Sequence, residues 1–84
     1  MIVDNDNYPT DATFTQNTKF NGITGENIYV SPGVVLILEG ICNGNVYLNK
    51  NSYCEMDGIV TGDFIYGEGT FDCIGVVKGE IRKS

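Results

Sequence analysis

Apolar and polar residues alternate along this chain in short runs, and glycines interrupt the runs at recurring places. The clearest phrase is GIVTGDFIY, Gly58 to Tyr66. Val60, Gly62, Phe64 and Tyr66 fall on one side of an extended strand, and Thr61, Asp63 and Ile65 fall on the other. The phrase has an earlier copy, GICNGNVYL from Gly40 to Leu48, and a later one, GVVKGEI from Gly75 to Ile81. A fourth copy, GITGENIYV from Gly22 to Val30, has its second glycine one place early.

A repeat of about 18 residues is too short for a helix pair or a propeller blade. It fits one turn of a β-solenoid, three short strands joined by tight bends, with turns stacked in parallel at about 4.8 Å each. Stacking predicts columns of like side chains. Cys42, Val60 and Val77 form one; Ile28, Val46, Phe64 and Ile81 a second; Val30, Leu48 and Tyr66 a third. Leu36, Cys54 and Phe71 make a fourth, and Leu38, Met56 and Cys73 a fifth. Glycines line up as Gly40, Gly58, Gly75 and as Gly44, Gly62, Gly79, which suits corners or a narrow interior without room for a Cβ. Helix is the rival, and eleven glycines with many β-branched residues and no helical period count against it.

Turn signals mark the corners. Ser31-Pro32-Gly33 is the strongest, and Asn49-Lys50-Asn51 and Gly67-Glu68-Gly69 follow at the repeat distance. A second corner lies at Glu39-Gly40, Asp57-Gly58 and Ile74-Gly75. Between them VVLIL, Val34 to Leu38, is the most apolar strand. Its outward residues Val35 and Ile37, with Tyr53 and Ile59 nearby, suggest a side contact surface. Residues 1–20 carry no period; Asn, Asp and Thr dominate and Pro9 interrupts. They read as a polar N-terminal arm, ordered near Phe20 and disordered before Tyr8, leaving residues 21–84 as one solenoid domain of about three to four short coils. Three coils is close to the minimum for a repeat array to stand alone, so both ends are expected to take a partner.

Composition narrows the function. Eighty-four residues allow one small domain. The formal charge of −6 argues against nucleic-acid binding, which needs a basic stripe. The charge is uneven: Asp4, Asp6 and Asp11 lie near the start, while Lys78, Arg82 and Lys83 cluster at the end. Met1-Ile2-Val3 is followed at once by Asp4, Asn5 and Asp6, which is not a secretory pattern, so a cytoplasmic location is the expectation. The three cysteines match no zinc spacing and occupy inward columns as small hydrophobes.

Catalytic chemistry finds little footing. There is no histidine. Glu55 with Asp57, or Asp63 with Asp72, read as a solvated face before they read as an acid–base pair. The GEGTFD run, Gly67 to Asp72, echoes a calcium-binding nonapeptide but occurs once, without the tandem copy that completes the ion's ligands. Apolar residues also recur every sixth position from Ile23 to Val77, the spacing of left-handed hexapeptide acyltransferases. The small residue wanted after each is missing: Thr24, Val30, Leu36 and Leu48 stand there. No catalytic residue, cofactor or metal ligand is assigned.

The phrases DGIVTGDF (Asp57 to Phe64) and GVVKGEIRKS (Gly75 to Ser84) resemble the repeating G-x-V-x-G-x-I coils of bactofilins, polymer-forming bacterial cytoskeletal proteins. The resemblance covers Gly22 to Ser84 and is strongest after Gly40. It implies a right-handed triangular β-helix that assembles end to end without a nucleotide, and an N-terminal arm that in some members touches a membrane. Here Met1-Ile2-Val3 is a poor version of that apolar start, and the chain is shorter than family cores. The expected function is thus a self-associating scaffold whose partner is itself. Ile23 and Ile28 at one end and Val77 and Ile81 at the other are the expected contacts. The alternative is a small acidic inhibitor or immunity-type protein that docks on a basic partner through Val35 and Ile37.

Overall fold

A computed structural model describes residues 1–84 and contains no helix. The chain winds through five coils of three strands each. Coil one holds β1 (Ile2–Asp4), β2 (Asn7–Tyr8) and β3 (Ala12–Phe14), and coil two holds β4 (Thr18–Phe20), β5 (Ile23–Thr24) and β6 (Ile28–Val30). Coil three comprises β7 (Val35–Leu38), β8 (Ile41–Cys42) and β9 (Val46–Leu48); coil four, β10 (Tyr53–Met56), β11 (Ile59–Val60) and β12 (Phe64–Ile65). Coil five ends the array with β13 (Thr70–Cys73), β14 (Val76–Val77) and β15 (Ile81–Arg82).

Every third strand joins the same sheet, giving three five-stranded parallel sheets: β1-β4-β7-β10-β13, β2-β5-β8-β11-β14 and β3-β6-β9-β12-β15. The result is a three-sided β-solenoid. We call these sheets A, B and C.

The predicted columns are the rungs of these sheets. Cys42 pairs with Val60 and Val60 with Val77; Ile28, Val46, Phe64 and Ile81 run in register through sheet C; Leu36–Cys54–Phe71 and Leu38–Met56–Cys73 run through sheet A. These residues point inward because alternate strand positions face opposite sides, and the interior is the one place without water. Phe20, Ile28, Leu36, Leu38, Val46 and Met56 are wholly buried. Each such side chain contributes about 1.5–3 kcal/mol relative to exposure.

Residues 1–20 are not an arm. They supply all of coil one and the first strand of coil two, extending the columns downward: Ile2 and Thr18 beneath Leu36, Asp4 and Phe20 beneath Leu38, Tyr8 and Thr24 beneath Cys42, and Ala12 beneath Ile28. The coil count is therefore five, against the three to four expected from the repeat. The register shows why the first coil carries no period. The step from Ile2 to its partner Thr18 is shorter than the two equal steps that follow, Thr18 to Leu36 and Leu36 to Cys54.

The six-residue apolar period has a simple origin. Ile23, Ile41 and Ile59 share one outward column of sheet B. Tyr29, Tyr47 and Ile65 share one of sheet C, and Val35 pairs with Tyr53 on sheet A. The step from coil four to coil five, Cys54 to Phe71, is one position shorter than Leu36 to Cys54, so the period slips and Phe71 and Val77 face inward.

Two devices hold the corners. At Gly40, Gly58 and Gly75 an added Cβ would lie 1.9–2.2 Å from the carbonyl oxygen of the glycine one coil below, so nothing larger fits. On the approach to sheet C a side-chain ladder climbs the molecule. The Oδ1 atoms of Asp11, Asn27, Asn45 and Asp63 accept the backbone N–H of Asn27, Asn45, Asp63 and Glu80 respectively, at 2.8–2.9 Å. Each coil thereby satisfies a corner donor of the next, a group the strand ladder does not reach. On the outward face the Tyr29 and Tyr47 rings stack, 5.2 Å apart and 9° from parallel.

Candidate functional site

No pocket indents the surface, and no group of three His, Cys, Asp or Glu side chains could hold a metal ion. The features with binding potential are the two open edges of the solenoid and its three faces. We call the free side of coil one the N edge and the free side of coil five the C edge.

The C edge is apolar. Phe71, Cys73 and Val77 top three inward columns and are only half-buried, since no coil lies above them. Ile81 tops a fourth and is 44% exposed, while Val76 and Ile74 at the rim are 52% and 79% exposed. Phe71 packs at ring-centroid distances of 5.0 Å against Tyr66 and 5.1 Å against Phe64, forming the aromatic floor of this edge. The main chain of β13, β14 and β15 has ladder partners on one side only. Around the rim stand Lys78, Lys83, Asp72 and Glu80, with Arg82 3.3 Å from Asp63. Asp63 keeps its carboxyl below the usual range, chiefly because it accepts the Glu80 N–H and then because Arg82 is beside it.

The N edge differs. Asp4 occupies an inward position, and its carboxylate is fully employed: Oδ2 accepts the Tyr8 hydroxyl at 2.6 Å and Oδ1 accepts the Asp6 N–H at 2.9 Å. The Tyr8 hydrogen bond, helped by burial and by the charges of Asp4 and Asp6, pushes that phenol up to about 12. Above this polar floor the Tyr8, Phe14 and Phe20 rings meet, with centroids 5.9 Å and 5.1 Å from Phe20. Ala12 and Phe14 are buried even though theirs is an outermost coil.

Of the four expected contact residues, the structure brings Val77 and Ile81 together on the C edge. Ile28 is wholly buried between Ala12 and Val46 and is unavailable to any partner. Ile23 is 41% exposed but faces outward from sheet B, with coil one between it and the N edge. Both belong at an end only if residues 1–20 are an arm, and those residues are a coil. Phe71 and Cys73 join the edge, and their places in the columns already mark them. Asp4 and Tyr8 carry no such signal.

Val35 and Ile37 lie outward and half-buried on sheet A. Ile37 sits in a column with Lys19 below and Glu55 and Asp72 above. Glu39 pairs with Lys19 at 3.5 Å. Asp57 Oδ1 is buried without a donor, and Glu55 has its carboxyl raised, first by hydrogen bonding to Asp57 and then by its charge. Cys54, behind this face, is pushed up to about 12 by burial, and Cys42 is raised by the same cause. Neither is a nucleophile at neutral pH.

Comparison with protein-family models, with characterised proteins and with solved structures finds no match to this chain. No helix is long and apolar enough to cross a membrane.

Proposed function

We propose that this chain is a structural, self-associating scaffold of the bactofilin-like type, joining copies through a terminal coil without nucleotide or cofactor. The carrying observation is the C edge, where inward columns end on Phe71, Cys73, Val77 and Ile81 with no coil above them. A coil stacked there would continue the ladder and remove those side chains from water, the same two terms that hold coil four on coil three. The resemblance of Asp57–Phe64 and Gly75–Ser84 to bactofilin coils supports the same reading. A non-enzymatic role, in the bacterial cytoplasm, goes with it.

Sedimentation equilibrium across protein concentration tests the proposal. The weight-average mass should rise above the 9.2 kDa of one chain. Ile81→Lys should return it toward one chain while leaving the β-sheet circular-dichroism signal of coils one to four in place. A wild-type mass that never leaves 9.2 kDa refutes it.

A second reading rests on sheet A. Ile37 shares an outward column of sheet A with Lys19 below and Glu55 and Asp72 above, and Glu39 and Asp57 lie two positions along from Ile37 and Glu55, a predominantly acidic face with an apolar residue in it that suits a basic protein partner. Association by that route would weaken steeply with salt, whereas coil stacking would not.

A further inference from the structure

We infer that coil one is a built stop: copies join C edge to C edge, and assembly closes at two instead of extending into a filament. This rests on the self-association reading above and specifies its geometry.

A coil must meet two needs in order to sit on another coil. The first is a bare Cα at the corner before sheet B. Gly22, Gly40, Gly58 and Gly75 each direct their missing Cβ at a carbonyl of the coil below, at 1.7, 1.9, 2.0 and 2.2 Å. The carbonyl under Gly22 belongs to Asp6, so Asp6 is the member of this column in coil one. As the member of that column, Asp6 would direct its Cβ the same way, out of the N edge. A copy docked beneath in register would present its Gly75 carbonyl to that Cβ and clash.

The second need is a set of donors. Gly25, Asn43, Thr61 and Lys78 each give their N–H to the coil below, at 2.7, 3.0, 2.9 and 2.9 Å. They follow Thr24, Cys42, Val60 and Val77, one column whose member in coil one is Tyr8. The residue after Tyr8 is Pro9, which has no N–H. Likewise Gly40, Gly58 and Gly75 donate to Phe20, Leu38 and Met56 below. The matching Asp6 N–H is instead turned to Asp4 Oδ1 at 2.9 Å. Proline and inward charge are the devices by which sheet edges refuse further strands.

The C edge keeps what coil one has discarded. Neither of those two devices is repeated there: Lys78 follows the Tyr8–Val77 column where Pro9 does in coil one, and no acid or proline occupies an inward position of coil five. A second copy cannot offer its N edge to this surface, so it must offer its own C edge. The rim suits that, since Lys78, Arg82 and Lys83 stand beside Asp72 and Glu80, and a two-fold axis can set one sign against the other. The contact is small. A triangle filling half of the 27 × 26 Å cross-section projects to about 350 Å² per partner, about 700 Å² in all and smaller than a stable specific interface, so association should be weak and depend on concentration.

The test is sedimentation equilibrium with electron microscopy on the full chain, from about 1 μM to 1 mM, a span set by the small contact. The mass should climb and level at twice 9.2 kDa. Cys73, a half-buried thiol of the C edge, should become at least tenfold less reactive toward a maleimide as the dimer fills. Val77→Asp should abolish the rise, and Ile2→Lys at the N edge should not. Asp6→Gly combined with Pro9→Thr, verified as folded by circular dichroism, should let the mass grow past two copies.

Wild-type filaments or continuous growth overturn the stop while leaving self-association standing. Loss of the rise in Ile2→Lys with Val77→Asp unaffected overturns the choice of edge. A folded Asp6→Gly/Pro9→Thr variant that still stops at two overturns the assignment of the stop to these residues. A wild type that stays monomeric throughout removes the self-association reading itself.

Discussion

Replacing Gly58 by alanine probes the stacking of coils directly. The new Cβ would lie 2.0 Å from the Gly40 carbonyl oxygen and 2.9 Å from the Glu39 carbonyl carbon, where ordinary contact begins at 3.4 Å. Both obstacles are main chain, so no rotamer change relieves the overlap. Coils three and four must part at that corner, and two hydrogen bonds cross it: Gly58 N–H to the Leu38 carbonyl at 2.9 Å and Ile59 N–H to the Gly40 carbonyl at 3.0 Å. Stranding a buried backbone group costs about 1–3 kcal/mol, so losing both comes to about 3–4 kcal/mol. Alanine recovers about 0.4–1 kcal/mol by restricting the unfolded chain, leaving a net loss of about 3 kcal/mol. In a domain of this size that is a fall of about 12–24 °C in Tm. Gly33→Ala is the control: its φ of 74° disfavours a side chain, but nothing lies within 4 Å. Only about 1–2 kcal/mol is at stake there. Urea unfolding followed by far-ultraviolet circular dichroism measures both. If Gly58→Ala costs no more than Gly33→Ala, the close approach of the two corners is not what requires glycine there.

Other expectations follow from single contacts. Asn45→Ala removes the acceptor of the Asp63 N–H and the donor to the Tyr47 hydroxyl, and should cost about 1–3 kcal/mol in urea unfolding, while Asn45→Asp keeps the acceptor and should cost less. Tyr8 should ionise late in an absorbance titration, at about 12. Because its folded value lies above the ordinary 10.0, its stabilisation is complete below pH 10.0 and is lost as pH rises toward 12. Asp63 works in the opposite sense: its depressed carboxyl stabilises above its ordinary 3.8 and is lost as pH falls through the folded value, so Asp63→Asn should flatten the acid limb of the stability profile. One thiol per chain, Cys73, should react with a maleimide in dilute native protein and three in denaturant, because Cys42 and Cys54 are buried.

The interior is legible in the sequence because the solenoid repeats its constraints. Ile28, Val46 and Phe64 face the same narrow space from successive coils, so one solution recurs and the period shows. Outward positions are legible too, once the six-residue spacing of Ile23, Tyr29 and Val35 is understood as one outward residue per face. The ladder of Asp11, Asn27, Asn45 and Asp63 is harder to see, since the hydrogen bond asks only for a short side-chain oxygen and accepts either residue. Glu80, one methylene longer, receives nothing from above and ends the series.

Coil one escapes detection for the reason that makes it informative. A middle coil is pressed from both sides, and its glycines and inward hydrophobes are dictated by the coil beneath as much as by its own winding. Take the lower neighbour away and those demands lapse: Asp6 can carry a side chain, Pro9 can do without an N–H, and Asp4 can face inward while reaching Tyr8. In a middle coil the first two would meet the main chain of the coil beneath or leave its carbonyl without a donor. The loss of the repeat in residues 1–20 is therefore not drift toward disorder, since these residues form strands in register with coil two. Coil five has coil four beneath it and so keeps Gly75 and Gly79, whose missing Cβ atoms point down at Gly58 and Gly62, while apolar Val77 and Ile81 lie inside at its free edge.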